Sequence, residues 1–271
     1  MSRYLNKSIK RQSHLYSGDI RMKFLINLMA ILLIAFTSTI NYAKNNSKIL
    51  IVLTSHSQLG NTGEKTGFWL PELTHPYYEF KKAGYSIDVA SIQGGIAPID
   101  PKSFDDADEA NQRFLQDAEL MAKVFRSLPI SKIDPTEYLA IVFGGGHGTM
   151  WDFPNNEHVN RLSAAIYENN GIVSAICHGP AALVDIKLSN GKYLVSDKKV
   201  AAFTNEEEEL LKQTHIMPFL LQDKLIERGA KHIYGKAWKE NVVVDGRLIT
   251  GQNPESAKKV AKTIIERLKA M

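Results

Sequence analysis

The sequence contains almost no cysteine. Cys177 is the single cysteine among 271 residues, so no disulfide can form within the chain. The fold must therefore be stabilised by a packed interior. Hydrophobic residues make up 44% of the chain, which is enough for one large α/β domain or for two small ones. Low-complexity tracts and solenoid-type repeats are also absent, which excludes fibrous and repeat architectures.

The body of the chain also lacks a surplus of positive charge. Residues 1–23 carry a net charge of +5, from six basic side chains and Asp19, out of the total of +4. The remainder of the chain is therefore close to neutral. Without basic groups to neutralise phosphates, this remainder is not expected to bind nucleic acid.

The N-terminal segment has the layout of a secretory signal peptide. Basic residues at 21–23 precede an apolar run, Phe24 to Ile40, and the small residue Ala43 stands before a polar stretch. We expect export to the periplasm or the medium with cleavage of residues 1–43, and Met22 is an alternative start. An uncleaved membrane anchor is the second interpretation, although the run is short for a ~30 Å hydrocarbon core. A buried core helix is the third.

From Lys48 onward, apolar strands alternate with amphipathic helices. This alternation predicts a single domain over residues 44–271, a doubly wound parallel sheet with helices on both faces. Strands are predicted at 48–54, 85–91, 138–143 and 171–176, with a short one at 200–203 and a hairpin at 242–250. Helices are predicted at 67–83, 107–127, 156–169, 206–228 and 254–270. Two segments, 94–135 and 205–224, are expected to be cap insertions over the site.

The predicted strand at 171–176 ends directly at Cys177, and a helix is predicted to begin near His178. This layout places Cys177 on a sharp turn at the carboxyl edge of the sheet, where α/β proteins bind ligands. A helix N-terminus stabilises a thiolate, so we expect an acidic, oxidation-prone nucleophile. The alternative is a cysteine that merely packs in the core.

Glycines end the preceding strand at 144–148, around His147. Glycine allows close backbone approach, so the amides of Gly145, Gly146 and His178 are candidates to bind an oxyanion beside Cys177, with His147 lining the site. No Gly-Lys-Ser/Thr follows, which argues against phosphate binding. The histidine spacings do not match a metal-binding motif, so we predict no metal, with a site assembled from residues distant in sequence as the alternative.

Two carboxylates are candidates for proton transfer. Glu72 lies beside Trp69 and Leu70, where burial would raise its pKa and suit it to exchange a proton with Cys177. A solvated glutamate is the alternative. Four consecutive glutamates, Glu206 to Glu209, begin another helix, and one of them is expected to orient His178.

These residues together resemble the ThiJ/PfpI family of the class I glutamine amidotransferase-like superfamily. The resemblance covers residues 47–270. Within the family the chain is similar to the heat-shock chaperone and glyoxalase III branch, because Lys65-Thr66-Gly67 and Glu72 precede His75-Pro76. The motifs are AICHGP at 175–180, GGHGTMWD at 145–152, FTNEEE at 203–208 and TGQNPESA at 250–257.

The resemblance implies a flavodoxin-like, usually dimeric protein. It implies conversion of methylglyoxal, or of the related aldehyde glyoxal, to a hydroxy acid by a lyase of the D-lactate dehydratase type (EC 4.2.1.130), without glutathione or another cofactor. Deglycase and holdase-chaperone activities are also ascribed to such proteins. By motif position, Cys177 is the nucleophile beside His178, Glu72 contacts the thiol, and Glu208, or alternatively Glu206, is the triad acid. Gly145 and Gly146 match the backbone segment that lies beside the oxyanion in the family.

Three other functions compete with this interpretation. A glutamine amidotransferase needs a late His-x-Glu pair, which neither His215 nor His232 provides. A cysteine peptidase would use the same nucleophile. A non-enzymatic holdase would show an exposed apolar patch.

The leader generates the first testable prediction. Expressed from Met22, the protein should reach the exported fraction with a new N-terminus near Lys44, because a signal peptidase cleaves after small residues. N-terminal sequencing and intact mass of the exported pool would measure this. An intact Phe24–Ile40 segment in a soluble cytoplasmic pool would contradict it.

Overall fold

The computed structural model describes residues 48–271. The predicted leader, residues 1–43, lies outside these residues. Among the described residues, none of the helices has the length and apolar character needed to cross a membrane.

A seven-stranded sheet forms the centre of the described domain. Its strand order is β3-β2-β1-β4-β5-β9-β8, with every neighbouring pair parallel except the β8–β9 hairpin. A separate two-stranded parallel ribbon pairs β6 with β7. The strands are β1 Lys48–Leu53, β2 Ser86–Ser91, β3 Leu128–Pro129, β4 Tyr138–Phe143, β5 Ile172–Ile176, β6 Lys199–Val200, β7 Lys231–His232, β8 Val242–Asp245 and β9 Leu248–Gly251. The predicted doubly wound, flavodoxin-like α/β class is confirmed.

Helices cover both faces of the sheet. They are α1 Pro71–Lys82, α2 Glu109–Phe114, α3 Ala118–Phe125, α4 Thr149–Asp152, α5 Glu157–Glu168, α6 Asn205–Leu210, α7 Leu221–Glu227 and α8 Ala257–Lys269. Short 3₁₀ turns occur at Pro101–Ser103, Ile130–Lys132, Pro135–Glu137, Gly179–Leu183 and Pro254–Ser256.

The strand sequences explain this two-sided burial. Side chains alternate between the faces of a strand, so Leu50 and Val52 of β1 join one apolar cluster and Ile49 and Ile51 join the other. Helix α5 covers the first face, whereas α1 and α8 pack together over the second. The continuous apolar run of β1 is therefore required, since neither face meets solvent.

Two predicted helices differ from the structure in physically explicable ways. The predicted helix 107–127 is two helices, because the Asp117 carboxylate accepts the amide of Leu120 at 3.0 Å and starts a new helix there. The helix predicted from residue 67 begins only at Pro71, whose missing N–H suits a first helical position. The preceding Trp69 amide instead donates to the Gly145 carbonyl at 3.0 Å.

Other predicted elements have the expected type, with revised ends. The helix predicted at 206–228 is divided into α6 and α7, with Pro218 in the segment between them, and the strand predicted at 200–203 is only the two-residue β6. In the predicted hairpin, Gly246 and Arg247 are the two turn residues, and Gly246 has φ 63°.

The two predicted cap segments lie in different places. Segment 205–224 lies beside Cys177 and contributes Glu208 and Leu211 to its surroundings. Segment 94–135 mainly extends the sheet at β3 and packs α2 against α1. Its residues 102–106 line an outer cleft, whereas the cavity over Cys177 is lined by other segments.

Phe143 offers a test of the core on which the site is built. Phe143 is fully buried at the end of β4, with its ring 5.5 Å from the ring of Phe153. We expect Phe143→Ala to lower the free energy of unfolding by ~3–5 kcal/mol, measured by urea denaturation. Phe125→Ala, at an exposed position, is the matched control and should cost far less. Similar losses for both would contradict the assignment of the core.

Candidate active site

Cys177 lies on a strained turn between β5 and the 3₁₀ helix Gly179–Leu183. Its φ is +59°, an uncommon value for a residue with a side chain. Neighbouring chain segments hold it there, since the Cys177 amide donates to the Gly251 carbonyl and its carbonyl accepts the amide of Phe203, both at 2.9 Å. Such strain is typical of functional turns.

A histidine and a glutamate extend from the thiol in a hydrogen-bonded series. Cys177 Sγ lies 3.4 Å from His178 Nδ1, and His178 Nε2 lies 2.8 Å from Glu208 Oε2. Both residues are buried. The structure thus places Glu208, rather than the exposed Glu206, in the triad-acid position. This is the arrangement of a base oriented by an acid.

His147 completes the environment of the Glu208 carboxylate. Its Nε2 lies 3.0 Å from Glu208 Oε1, so each carboxylate oxygen meets one histidine. Burial alone would raise the pKa of Glu208, but the charge of His178 and the hydrogen bonds from both rings hold that pKa well below its usual range. Burial and the neighbouring His178 lower the pKa of His147. Glu208 is therefore ionised, and it accepts hydrogen bonds from the two histidines instead of donating a proton.

Within residues 48–271, the same three side chains also form a group that could hold a metal ion. Ligand atoms of His147, His178 and Glu208 all lie within 4.8 Å of one another, and two histidines with a carboxylate are a usual zinc set. They come from three separate segments, so spacing along the chain gave no sign of them. Their mutual hydrogen bonds already account for this cluster.

Glu72 lies in the first turn of α1, and its carboxyl affects the Cys177 thiol. It is fully buried, and Oε2 accepts the Gly145 amide at 2.7 Å. Within residues 48–271, Oε1 has no hydrogen-bond partner, and the carboxyl and the Cys177 thiol affect each other's pKa. Burial raises the pKa of Glu72 to about 8, against the opposing effects of the Gly145 amide and Cys177. The solvated alternative for Glu72 is therefore wrong.

The expected acidic thiol is not what the structure shows. Burial, and then the charge of Glu72, raise the pKa of Cys177 above its usual range, and only the His178 amide opposes them. The helix that follows is a five-residue 3₁₀ turn, too short to lower the pKa as we had expected. Cys177 and Glu72 are therefore electrostatically coupled, and the two groups titrate as a pair.

The glycine loop supplies close approach, as expected, but Gly145 has a different role from the one predicted. Because its amide donates to Glu72, that amide is not free for an oxyanion. A Cβ at Gly145 would lie 2.6 Å from the Ile176 carbonyl oxygen and 2.7 Å from the His178 nitrogen. Gly146 has φ +101°, and within the described residues its amide has no acceptor. Gly146 and His178 remain the oxyanion candidates.

A small, mostly apolar cavity of about 60 Å³ lies over the thiol. Several of its walls were not identified from the sequence, because they come from loops distant along the chain. His75 pairs with Asp108 at 2.7 Å in the outer cleft. The cavity is lined by Trp69, Gly146, His147, Cys177, His178, Phe203, Leu211, Trp238 and Pro254.

The sequence model of the DJ-1/PfpI family matches residues 65–267. The chain belongs to the DJ-1/PfpI family. All the site residues described above lie within the matched range, so the geometry around Cys177 belongs to the part of the chain shared with the DJ-1/PfpI family.

Similar proteins include fungal glyoxalases. Glyoxalase 3 of Candida albicans is 33% identical over 228 residues, covering 80% of this chain and 97% of that protein. The glutathione-independent glyoxalase HSP31 of Saccharomyces cerevisiae is 30% identical over 234 residues, covering 82% and 98%.

Solved DJ-1/PfpI structures show the same architecture. The Rapid Encystment Protein of Francisella tularensis is 45% identical, with a TM-score of 0.80 over 82% of this chain and 99% of that one. Glyoxalase III of Candida albicans is 31% identical, with a TM-score of 0.76 over 81% and 96%.

The raised pKa of Glu72 generates a prediction about stability. A folded-state pKa of about 8 means that the folded protein binds a proton more tightly than the unfolded chain. This tighter proton binding stabilises the folded protein fully at pH values below the pKa of Glu72 in the unfolded chain, and the stabilisation is lost as pH rises through about 8. Glu72→Gln cannot ionise, so between pH 5.5 and 8 its stability relative to wild type should increase by ~1.4 kcal/mol for each pH unit.

Urea denaturation across this pH range measures the difference. Glu79→Gln, on the same helix, is the control and shows how a Glu→Gln substitution outside the site changes stability with pH. A gap between Glu72→Gln and wild type that does not vary with pH would show that Glu72 is ionised throughout.

Proposed function

We propose that this protein is a glutathione-independent glyoxalase that converts methylglyoxal, or a related small α-oxoaldehyde, to a hydroxy acid, D-lactate in the case of methylglyoxal. The observation that carries the proposal is the position of Cys177 between two different acid–base systems. Glu72 is coupled to the thiol, and the His178–Glu208 pair adjoins it through His178 Nδ1. The names and similarity of the two fungal glyoxalases support it.

The first step uses the Cys177–Glu72 pair in its singly deprotonated form. Sulfur adds to the aldehyde carbon, and the thiol proton passes through Glu72 to the former carbonyl oxygen, giving a hemithioacetal. The amides of Gly146 and His178 would stabilise the oxyanion while it exists. A mostly apolar cavity strengthens these interactions because little water screens them.

The second step moves a hydrogen between adjacent carbons. The Glu72 carboxylate removes the proton from the carbon bonded to sulfur, giving an enediolate. Return of that proton to the neighbouring carbon, with transfer of the hydroxyl proton between the oxygens, gives a thioester of the 2-hydroxy acid. A carboxyl whose pKa is about 8 is suited to both directions of this transfer near neutral pH.

The final step is hydrolysis of the thioester. Water attacks the thioester carbon while His178, oriented by Glu208 at 2.8 Å, accepts its proton and returns it to the departing sulfur. The hydroxy acid leaves and the Cys177 thiol is restored. No group outside the chain is consumed except water, so this proposal requires neither glutathione nor another cofactor and assigns the enzyme to the lyase class of D-lactate dehydratase.

The cavity favours this chemistry over peptide hydrolysis. A space of about 60 Å³ over a thiol-bearing residue that is 4% exposed accommodates a three-carbon aldehyde far better than a polypeptide backbone. If the enzyme also removed small aldehyde adducts from other proteins, the exposed end of each adduct would have to enter the same cavity.

We also propose that the protein is exported and that it forms a homodimer. The charge and apolar pattern of residues 1–43 supports export, and the family resemblance supports dimerisation. Light scattering on the mature exported protein would distinguish a dimer from a monomer.

The direct test is a methylglyoxal assay without glutathione, in which D-lactate is measured stereospecifically. Wild type should form D-lactate, and Cys177→Ser should not. Suppression of citrate-synthase aggregation by both proteins, without lactate from either, would instead show a holdase.

The two carboxylates should behave differently in this assay. Glu72→Gln should lower kcat by ~10²–10⁴-fold, the usual contribution of a general base, yet Cys177 should still trap substrate as a hemithioacetal visible by mass spectrometry. Glu208→Gln should lower kcat by a smaller factor, because Glu208 acts only through His178. Steady-state kinetics of both variants, with the exposed Glu209→Gln as control, measure this.

Equal and small losses in both variants would mean that neither glutamate is catalytic. A larger loss in Glu208→Gln would reverse the roles and favour a Cys–His–Glu relay of the peptidase type.

A further inference from the structure

Trp238 forms the outer wall of the cavity over Cys177. Its ring centroid lies 5.6 Å from that of Phe203 in an edge contact, and Phe203 lies 4.2 Å from the ring of His178. Trp238 is 39% exposed, so one part of the indole faces solvent while another packs toward the site. Phe203 therefore connects the Trp238 wall to His178.

The same residue lies where the cavity meets a much larger cleft. Trp69, Trp238 and Pro254 line both the cavity of about 60 Å³ and an adjoining open cleft of about 870 Å³. A methyl-sized substituent fits within the inner volume. A larger substituent must extend toward the cleft, past the indole of Trp238, so this side chain limits the size of what can be accommodated next to the thiol.

The backbone of Trp238 is held in an unusual conformation by a buried glutamate. Trp238 has φ +57°, a value that costs free energy for a bulky residue. Its amide donates to Glu207 Oε1 at 3.0 Å, and Asn253 Nδ2 donates to the same oxygen at 2.8 Å. Asn253 also donates to the Lys239 carbonyl at 2.9 Å, directly beyond Trp238.

The second oxygen of Glu207 is also fully used. Glu207 Oε2 accepts the amide of Thr204 at 3.1 Å and its hydroxyl at 2.9 Å. Glu207 is completely buried, and a buried carboxylate is stable only when donors surround it. Its four hydrogen bonds join the first turn of α6 to the loop that carries Trp238, so the carboxylate fixes the distance between them.

We propose that Trp238 is the specificity-determining residue of this site and that Glu207 is the positioning residue that holds it. The inference rests on the proposed glyoxalase function and names its substrate class as α-oxoaldehydes with small apolar substituents. Two adjacent glutamates of α6 would then have different tasks. Glu208 orients the catalytic His178, whereas Glu207 fixes the wall that limits the substrate.

Kinetics with two substrates of different size test this inference. The ratio of kcat/KM for phenylglyoxal to that for methylglyoxal should rise at least ~10-fold in Trp238→Ala, as expected when a pocket wall that discriminates by size is removed. Trp238→Phe, which retains an aromatic wall, should give a smaller rise. Tyr234→Ala is the matched control, because Tyr234 is an exposed aromatic of the same loop that does not line the cavity.

Glu207→Gln tests the positioning role. An amide cannot accept four hydrogen bonds through one oxygen, so Trp238 should lose its fixed position and the same ratio should rise, mainly through a lower KM for phenylglyoxal. A purely structural role would lower the thermal midpoint of unfolding without changing the ratio. Glu209→Gln, an exposed position on α6, is the control for this variant.

Trp238→Ala changes a partly exposed side chain, so it should fold even if Glu207→Gln does not. A ratio within two-fold of wild type in folded Trp238→Ala would overturn the inference while leaving the glyoxalase function intact. Absence of methylglyoxal turnover by wild type would overturn the proposed function and this inference with it.

Discussion

The close approach of the Gly145 backbone to the Cys177 turn is the constraint on which the rest of the site depends. Parallel strands β4 and β5 end side by side, and there is no room for a Cβ at Gly145 between the Ile176 carbonyl and the His178 amide. This contact lets the Gly145 amide reach Glu72 at 2.7 Å. It therefore brings a carboxyl from the first turn of α1 close to the thiol, next to Gly146, which lines the cavity.

Two glutamates of the site have opposite electrostatic environments, and this separates their roles. Glu72 is buried beside few donors, so its pKa is raised to about 8 and it can carry a proton. Glu208 is buried between two histidines, whose charge and hydrogen bonds keep its pKa low. Pairs of groups with pKa values driven apart in this way are characteristic of acid–base catalysis. Glu207 accepts four hydrogen bonds, which join α6 to the loop that carries Trp238.

Several predictions from the sequence differed from the structure because they treated local features in isolation. The acidic Cys177 followed from an expected helix N-terminus, but the 3₁₀ turn is short and the neighbouring Glu72 reverses the direction of the pKa shift. The Gly145 amide was assigned to an oxyanion, yet the fold places a carboxylate on it. The helix predicted at 107–127 is interrupted because a single side-chain cap, Asp117, outweighs continued amphipathic periodicity.

The sequence by itself determined the alternation of strands and helices, the two-sided burial of β1, the placement of Cys177 at a strand end and the family motifs around it. These are encoded by residues close together in the chain, where hydrophobic period and glycine content act locally. Only the tertiary structure decided that Glu208 and not Glu206 meets His178, that His147 joins them, and that Trp238 closes the cavity. Those choices depend on how segments far apart in sequence pack against one another, and the pKa of each buried group depends on neighbours that only packing supplies.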